Sequence, residues 1–248
     1  MANKILLFVC RPQERVARAL AEKSPLELDI RVIDMTLHSN IDRLREYLTD
    51  AISQNSGFRA LYFCMGLCGG ALKGVRAGRV PCGFIRAHDC ITFALGPRER
   101  YLRLFREAPG TYFFTPGWIE AIRTREADAE QFMLDPEGMK RLREKLVEAY
   151  GEDNGLFLFD IETSWIKNYK RALFIGDPDK EYPEDIAYLA DICRRSGWQL
   201  EREAENYRLL EALITGDIND DDFLVLQPGM EICETGDGRV IDGRPCRC

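Results

Sequence analysis

The chain of 248 residues holds only two histidines and no long apolar stretch. Its longest uncharged apolar run, Ala60 to Leu72, has 13 residues and includes three glycines. That is short of the roughly 20 residues a helix needs to cross a bilayer. The first residues lead directly into a strand-like run, without the basic, apolar and small-residue regions of a signal peptide. A cytoplasmic protein with no membrane partner is expected. Basic patches are missing too. Net charge is −7, and in the densest basic stretch Arg98, Arg100, Arg103 and Arg106 share one helix with Glu99. Mixed charge on a helix marks a solvated face rather than a nucleic-acid footprint. There is no short-period repeat, no low-complexity segment, no G-x-G-x-x-G or Walker A loop, no C-x-x-C pair and no D-x-H-x-x-G cobalamin-ligating run.

Cysteine, by contrast, is plentiful. The chain has nine, and in a reducing compartment an odd number of thiols reads as core residues, metal ligands or reactive groups rather than as a disulfide framework. Hydrophobic content of 46% and charged content of 30% are those of an ordinary globular protein with ample core.

The pattern alternates strand and helix, which predicts parallel βα units. Strands are expected at Lys4–Cys10, Leu28–Asp34, Arg59–Met65, Val80–Arg86 and Thr111–Phe114. Helices are expected at Gln13–Lys23, Ile41–Gln54, Ala71–Arg76 and Arg98–Glu107. Helix dominates through Glu137–Tyr150 and Ser164–Lys170, after which the βα pattern returns and closes with a strand at Phe223–Gln227. The expected architecture is therefore α/β, with two Rossmann-like lobes of parallel βα units. Residues 1–117 form the first lobe, 118–165 a helical connection, 166–232 the second lobe and 233–248 an irregular tail.

Three thiols stand where a predicted strand gives way to a turn: Cys10, Cys68 and Cys90. In an open α/β sheet the carboxyl ends of the strands share one edge, where ligands bind, so residues distant in sequence can meet there. His88 lies two residues before Cys90. Thiolate plus imidazole is a zinc ligand set, and Cys10, Cys68, His88 and Cys90 are the expected metal ligands. His38 is positioned either to reach the same edge or to help cap a helix. Asp89 is placed to orient an imidazole, and a metal-free Cys–His nucleophile is the alternative chemistry. Cys64, Cys82 and Cys193 read as core. Gly66, Gly69 and Gly70 in the strand-to-helix turn, with Trp118, Trp165 and Tyr169, are expected to line a cleft for a large cofactor, such as a corrinoid.

Taken in order, LHSNIDRLREYL, MGLCGGALKG, IRAHDCITFALGPRERY and GTYFFTPGWIE resemble the motifs LH-x-x-P, YGLC, P-R-x-x-DC-x-x-x-LLG and GTYYLT-x-GW of the family named domain of unknown function DUF1638. Met65 replaces the motif's tyrosine. The resemblance implies no defined activity. It does imply a setting, since the family is common in methanogens and other anaerobes rich in corrinoid-dependent methyltransferases. From that setting follows the expectation of a zinc-dependent methyltransferase or accessory factor in corrinoid-linked one-carbon metabolism, with a corrinoid protein or methyltransferase as partner. The alternatives are a non-enzymatic protein that binds a corrinoid or other large cofactor, and an iron–sulfur protein that uses the same thiols plus a tail cysteine.

Overall fold

The computed structural model describes residues 3–124, 134 and 136–246. In chain order the elements are β1 (Ile5–Cys10), α1 (Glu14–Ala21), β2 (Leu28–Ile33), α2 (Ile41–Gln54), β3 (Ala60–Cys64), β4 (Cys82–Ile85), α3 (Cys90–Leu95), α4 (Arg98–Glu107), β5 (Thr111–Phe114), α5 (Pro116–Arg123), α6 (Pro136–Tyr150), α7 (Glu152–Thr163), β6 (Arg171–Gly176), α8 (Pro183–Ser196), β7 (Gln199–Ala204), α9 (Arg208–Thr215), β8 (Phe223–Leu226), β9 (Met230–Glu234) and β10 (Ile241–Pro245). They fall into two compact units: Met1–Tyr101 with Asn206–Cys248, and Leu102–Glu205.

The first unit is built on a five-stranded sheet of order β2-β1-β3-β4-β8. Its first four strands run parallel, and β8 is antiparallel to β4. Every residue of β1 is buried, as expected for a parallel strand covered on both faces. One face carries Leu6, Phe8, Phe63 and Phe84 under Leu44, Leu48 and Ile52 of α2. The three phenylalanines stack across β1, β3 and β4 at 4.8 and 4.7 Å. The other face carries Leu7, Val9, Cys64 and Ile85 under α1, α3 and α9, which contribute Ala17, Phe93, Leu209 and Leu213. Because β2 and β3 flank β1 on opposite sides, the winding direction reverses at β1, and the topological switch point lies between the carboxyl ends of β1 and β3.

The second unit has a parallel three-stranded sheet, β5-β6-β7, whose core gathers Phe114, Ile119, Phe174, Leu189, Ile192 and Trp198. Helices α6 and α7 form a hairpin turned at Gly151 (φ 81°). Gly155 lets them touch: a Cβ there would stand 2.5 Å from the Val147 Cα.

The α/β class and the parallel pairing agree with the sequence reading, but the chain is partitioned differently. Thr111–Phe114 belongs to the second unit's sheet rather than to the first lobe, while Phe223–Leu226 returns to the first sheet as its antiparallel edge. The expected irregular tail contains β10, paired antiparallel with β9 from Glu234↔Ile241 onward. A uniform βα rhythm leaves no compositional mark where the chain exchanges one sheet for another. The predicted helix Ala71–Arg76 is a series of turns after a 3-10 turn at Cys68–Gly70. Residues 125–133 and 135 of the expected connection, and the last two of the tail, lie outside the described residues. Among the described residues no helix is long and apolar enough to cross a membrane.

Candidate metal centre at the carboxyl edge of the first sheet

Each of the four parallel strands hands the chain to a turn that bears a soft or borderline metal donor. β1 ends at Cys10 because Pro12 follows. Proline has no N–H to extend the ladder, and it starts the 3-10 turn Arg11–Gln13. Beyond β2, Asp34 accepts the Thr36 amide at 2.8 Å and opens the turn Met35–Ser39. Asn40 then caps α2 by accepting the amides of Asp42 and Arg43, each at 3.1 Å. With both caps supplied by other side chains, His38 is not needed for capping, and its Nε2 lies 3.6 Å from Cys10 Sγ.

Beyond β3, Gly66 presses against the segment that leaves β4. A Cβ at this position would stand 2.7 Å from the Ala87 carbonyl oxygen and 2.9 Å from the Asp89 nitrogen. Glycine permits that approach, so the Leu67 amide donates to Ala87 and the Cys68 amide to His88, both at 2.8 Å. The two loops run side by side, one carrying Cys68 and the other Cys90. The chain then turns through three left-handed residues, Cys68 (φ 46°), Gly69 (φ 69°) and Gly70 (φ 98°). Glycine adopts this region freely, whereas at Cys68 the Cβ clash costs roughly 1–2 kcal/mol.

Cys90 opens α3. Asp89 caps that helix, accepting the amides of Ile91 and Thr92 at 3.0 and 3.3 Å, and also receives the Tyr101 hydroxyl at 3.2 Å. The carboxylate is thus occupied with capping rather than with orienting an imidazole. Burial raises its pKa, opposed by the Thr92 amide, the Tyr101 hydroxyl, the Ile91 amide and the charge of His88.

The thiols at this edge influence one another's ionisation. Burial pushes Cys10 well above the ordinary thiol range, and the neighbouring sulfurs of Cys90 and Cys64 push it further. Cys68 is raised by burial and then by Cys10, Cys90 and Asp89, against a backbone hydrogen bond at Gly66. Burial lowers the pKa of His38, with the backbone of Asp34 and Met35 and the Asp34 carboxylate pulling the other way. Neutral thiols beside a neutral imidazole are poor metal-free nucleophiles. A divalent cation reverses that balance, because it deprotonates a coordinating thiol outright.

Two fully buried polar side chains at the same edge lack partners among the described residues. Gln13, three positions past Cys10, is 0% exposed, and neither its amide nitrogen nor its oxygen is hydrogen-bonded. The Thr92 hydroxyl, two positions past Cys90, is also unpartnered. Orphaned buried groups of this kind are rare in folded proteins and call for a specific explanation, such as a ligand or an ordered water.

Of the four ligands expected from sequence, Cys10, Cys68 and Cys90 stand at or after the ends of the neighbouring strands β1, β3 and β4, and His88 lies on the loop that leads to Cys90. Its side chain is exposed, with its ring 6.3 Å from that of Tyr101, and the imidazole beside Cys10 belongs to His38. The signal for His38 was present in the motifs, where LH-x-x-P specifies this position and R-x-x-DC leaves position 88 open. As they stand, no three His, Cys, Asp or Glu side chains among the described residues form a group able to hold a metal ion. Gly66, Gly69 and Gly70 serve the close approach and the left-handed turn. Trp118, Trp165 and Tyr169 belong to the second unit, where Trp165 and Tyr169 pack around Tyr112 at 6.0 and 5.2 Å. Cys64, Cys82 and Cys193 are buried, as expected of core residues.

Compared with known proteins, residues 32–214 match the family model described as protein of unknown function (DUF1638). No curated protein and no solved structure matches the chain.

Proposed function

The chain belongs to the DUF1638 family, and we propose that its carboxyl-edge thiols bind zinc and activate a thiol substrate, as a methyltransferase or its accessory factor in corrinoid-linked one-carbon metabolism. One observation carries the reading: four successive parallel strands, β2, β1, β3 and β4, deliver His38, Cys10, Cys68 and Cys90 to the edge where α/β sheets bind ligands. The metal part rests on this donor set, and the corrinoid part on the resemblance alone.

Cys10, Cys68 and Cys90 are the ligands we assign, and each would have to turn about χ1 to close on the ion. Zinc held by protein ligands with one position open lowers the pKa of a thiol bound there and makes it nucleophilic at neutral pH. His38, kept neutral by burial, supplies either the fourth donor or a hydrogen bond to a ligand sulfur. The unpartnered buried groups of Gln13 and Thr92, close in sequence to Cys10 and Cys90, support an open site that takes a polar substrate over a closed structural one.

Metal analysis and an absorption spectrum of anaerobically purified protein test the proposal. One zinc per chain in a colourless sample supports it. A brown chromophore assigns an iron–sulfur cluster and a red or orange one a corrinoid, and either would replace it. A colourless protein free of metal, which also fails to take up zinc, refutes it.

A further inference from the structure

A second hollow lies entirely within the second unit, at the carboxyl ends of β6 and β7. Its volume is about 260 Å³, and its walls include Phe174, Gly176, Asp177, Arg202 and Glu203. The space exists because the residues following Phe174 and Arg202 on the same strand faces are Gly176 and Ala204, which carry little or no side chain. A Cβ at Gly176 would meet the Phe174 ring at 2.7 Å and the Tyr182 ring at 3.0 Å. Arg202 sits directly across from Phe174 in the ladder, with its guanidinium carbon 5.8 Å from the ring centroid. That ring contact is the guanidinium's sole interaction among the described residues. It forms no ion pair there and donates no hydrogen bond, so the fork of N–H donors is free and held against an aromatic surface.

We propose that this hollow binds a small organic monocarboxylate, with Arg202 as the carboxylate anchor. A guanidinium matches a carboxylate with two parallel hydrogen bonds, and its contact with the Phe174 ring limits the entropy lost in forming them. The surrounding charge decides how many anionic groups the ligand carries. Asp177 and Glu203 line the hollow. Glu205 stands near enough to Asp177 that, after burial, that carboxylate is what raises its pKa. Lys180 is already spent on Asp177 at 2.8 Å. A second carboxylate or a phosphate would therefore meet repulsion, because Arg202 is the one cationic residue among the described residues that line the hollow. The N-terminus of α8 offers an anion no help either, because Glu184 and Asp185 occupy its first turn. The remainder of the ligand is neutral or cationic and small enough for the hollow.

The test uses the full chain labelled with ¹⁵N and follows amide shifts of Gly176, Asp177 and Ala204. The probes are acetate, isobutyrate, benzoate, benzamide, phthalate and inorganic phosphate. At least one of the three monocarboxylates should give saturable shifts at these amides. Benzamide, phthalate and phosphate should bind at least tenfold more weakly than that ligand. Arg202→Gln, a change at an exposed position, should leave the rest of the spectrum in place and weaken the monocarboxylate at least tenfold. The proposal is overturned if no monocarboxylate gives a saturable shift, if phthalate or phosphate binds as well, or if Arg202→Gln binds like the parent.

Discussion

Arg86 joins the C-terminal segment to the first sheet, and replacing it should release that segment. The residue follows β4 and is 1% exposed. Its Nε donates to the carbonyls of Asp220 and Phe223, both at 3.0 Å, and its Nη1 donates to the carbonyl of Ile241. The carboxylates of Asp220 and Asp242 lie farther off, at 3.3 and 3.5 Å, and are 77% and 41% exposed. The carbonyl bonds therefore outweigh the ion pairs. A hydrogen bond from a charged donor contributes about 1.5–3 kcal/mol, whereas an exposed ion pair contributes about 0–1 kcal/mol. Arg86→Met keeps length and apolar volume but strands three carbonyls. It should cost about 3–5 kcal/mol, the range for breaking a buried charged contact. Asp220→Asn should cost less than about 1 kcal/mol. A chain of two units need not unfold in one step, so amide exchange is the better assay. Amides of β8 and β10 should exchange roughly 150- to 5,000-fold faster in Arg86→Met, while those of β6 stay unchanged. If β8 protection falls less than about tenfold, or falls equally in Asp220→Asn, Arg86 does not hold the segment.

Other outcomes follow from the same structure. Cys68→Gly removes the thiol but also the left-handed strain, so the midpoint of denaturation should stay within the equivalent of about 1 kcal/mol; a larger loss would mean that the side chain is needed for packing. Gln13→Met replaces an orphaned buried amide with an apolar chain of similar size and should stabilise the metal-free protein by about 1–2 kcal/mol; destabilisation would reveal a partner for the amide. The Glu231 carboxyl is held below its ordinary pKa by its bond from Arg244, against burial and with help from Arg76. A depressed carboxyl contributes stability above the unfolded pKa of about 4.3 and loses it as pH falls through the folded value. Exchange in the β9–β10 hairpin should therefore quicken below about pH 4, and Glu231→Gln should flatten that dependence; an unchanged pH profile in the variant would refute the assignment.

The strands and the site edge were legible in sequence because buried parallel strands read as short apolar runs, and KILLFVC, ALYFC and CGFI are such runs. Helices with one apolar stripe were legible too, α2 and α4 to the residue. Helix α7 was not, because LFLFDI places apolar groups all round and Phe157 and Ile161 remain 65% and 51% exposed. Counting strand ends is what put Cys10, Cys68 and Cys90 at one sheet edge. Nearness in sequence favoured His88 next to Cys90, whereas the structure leaves the His88 side chain exposed. Which strands are neighbours in space depends on long-range pairing, and it is the β2–β1 pairing that sets His38 next to Cys10.

The most direct test of the thiolate centre is cobalt(II) binding, followed by thiolate-to-metal charge-transfer absorption in parallel single variants. Cys10→Ser, Cys68→Ser and Cys90→Ser should each lose most of the band and of the affinity, because a hydroxyl is a hard, poorly ionised substitute for a thiolate. His38→Ala should weaken binding or shift the band, whereas His88→Ala and Cys193→Ser should leave both as in the parent. A parent chain that shows no charge-transfer band, or thiol variants that bind cobalt as the parent does, would contradict the account.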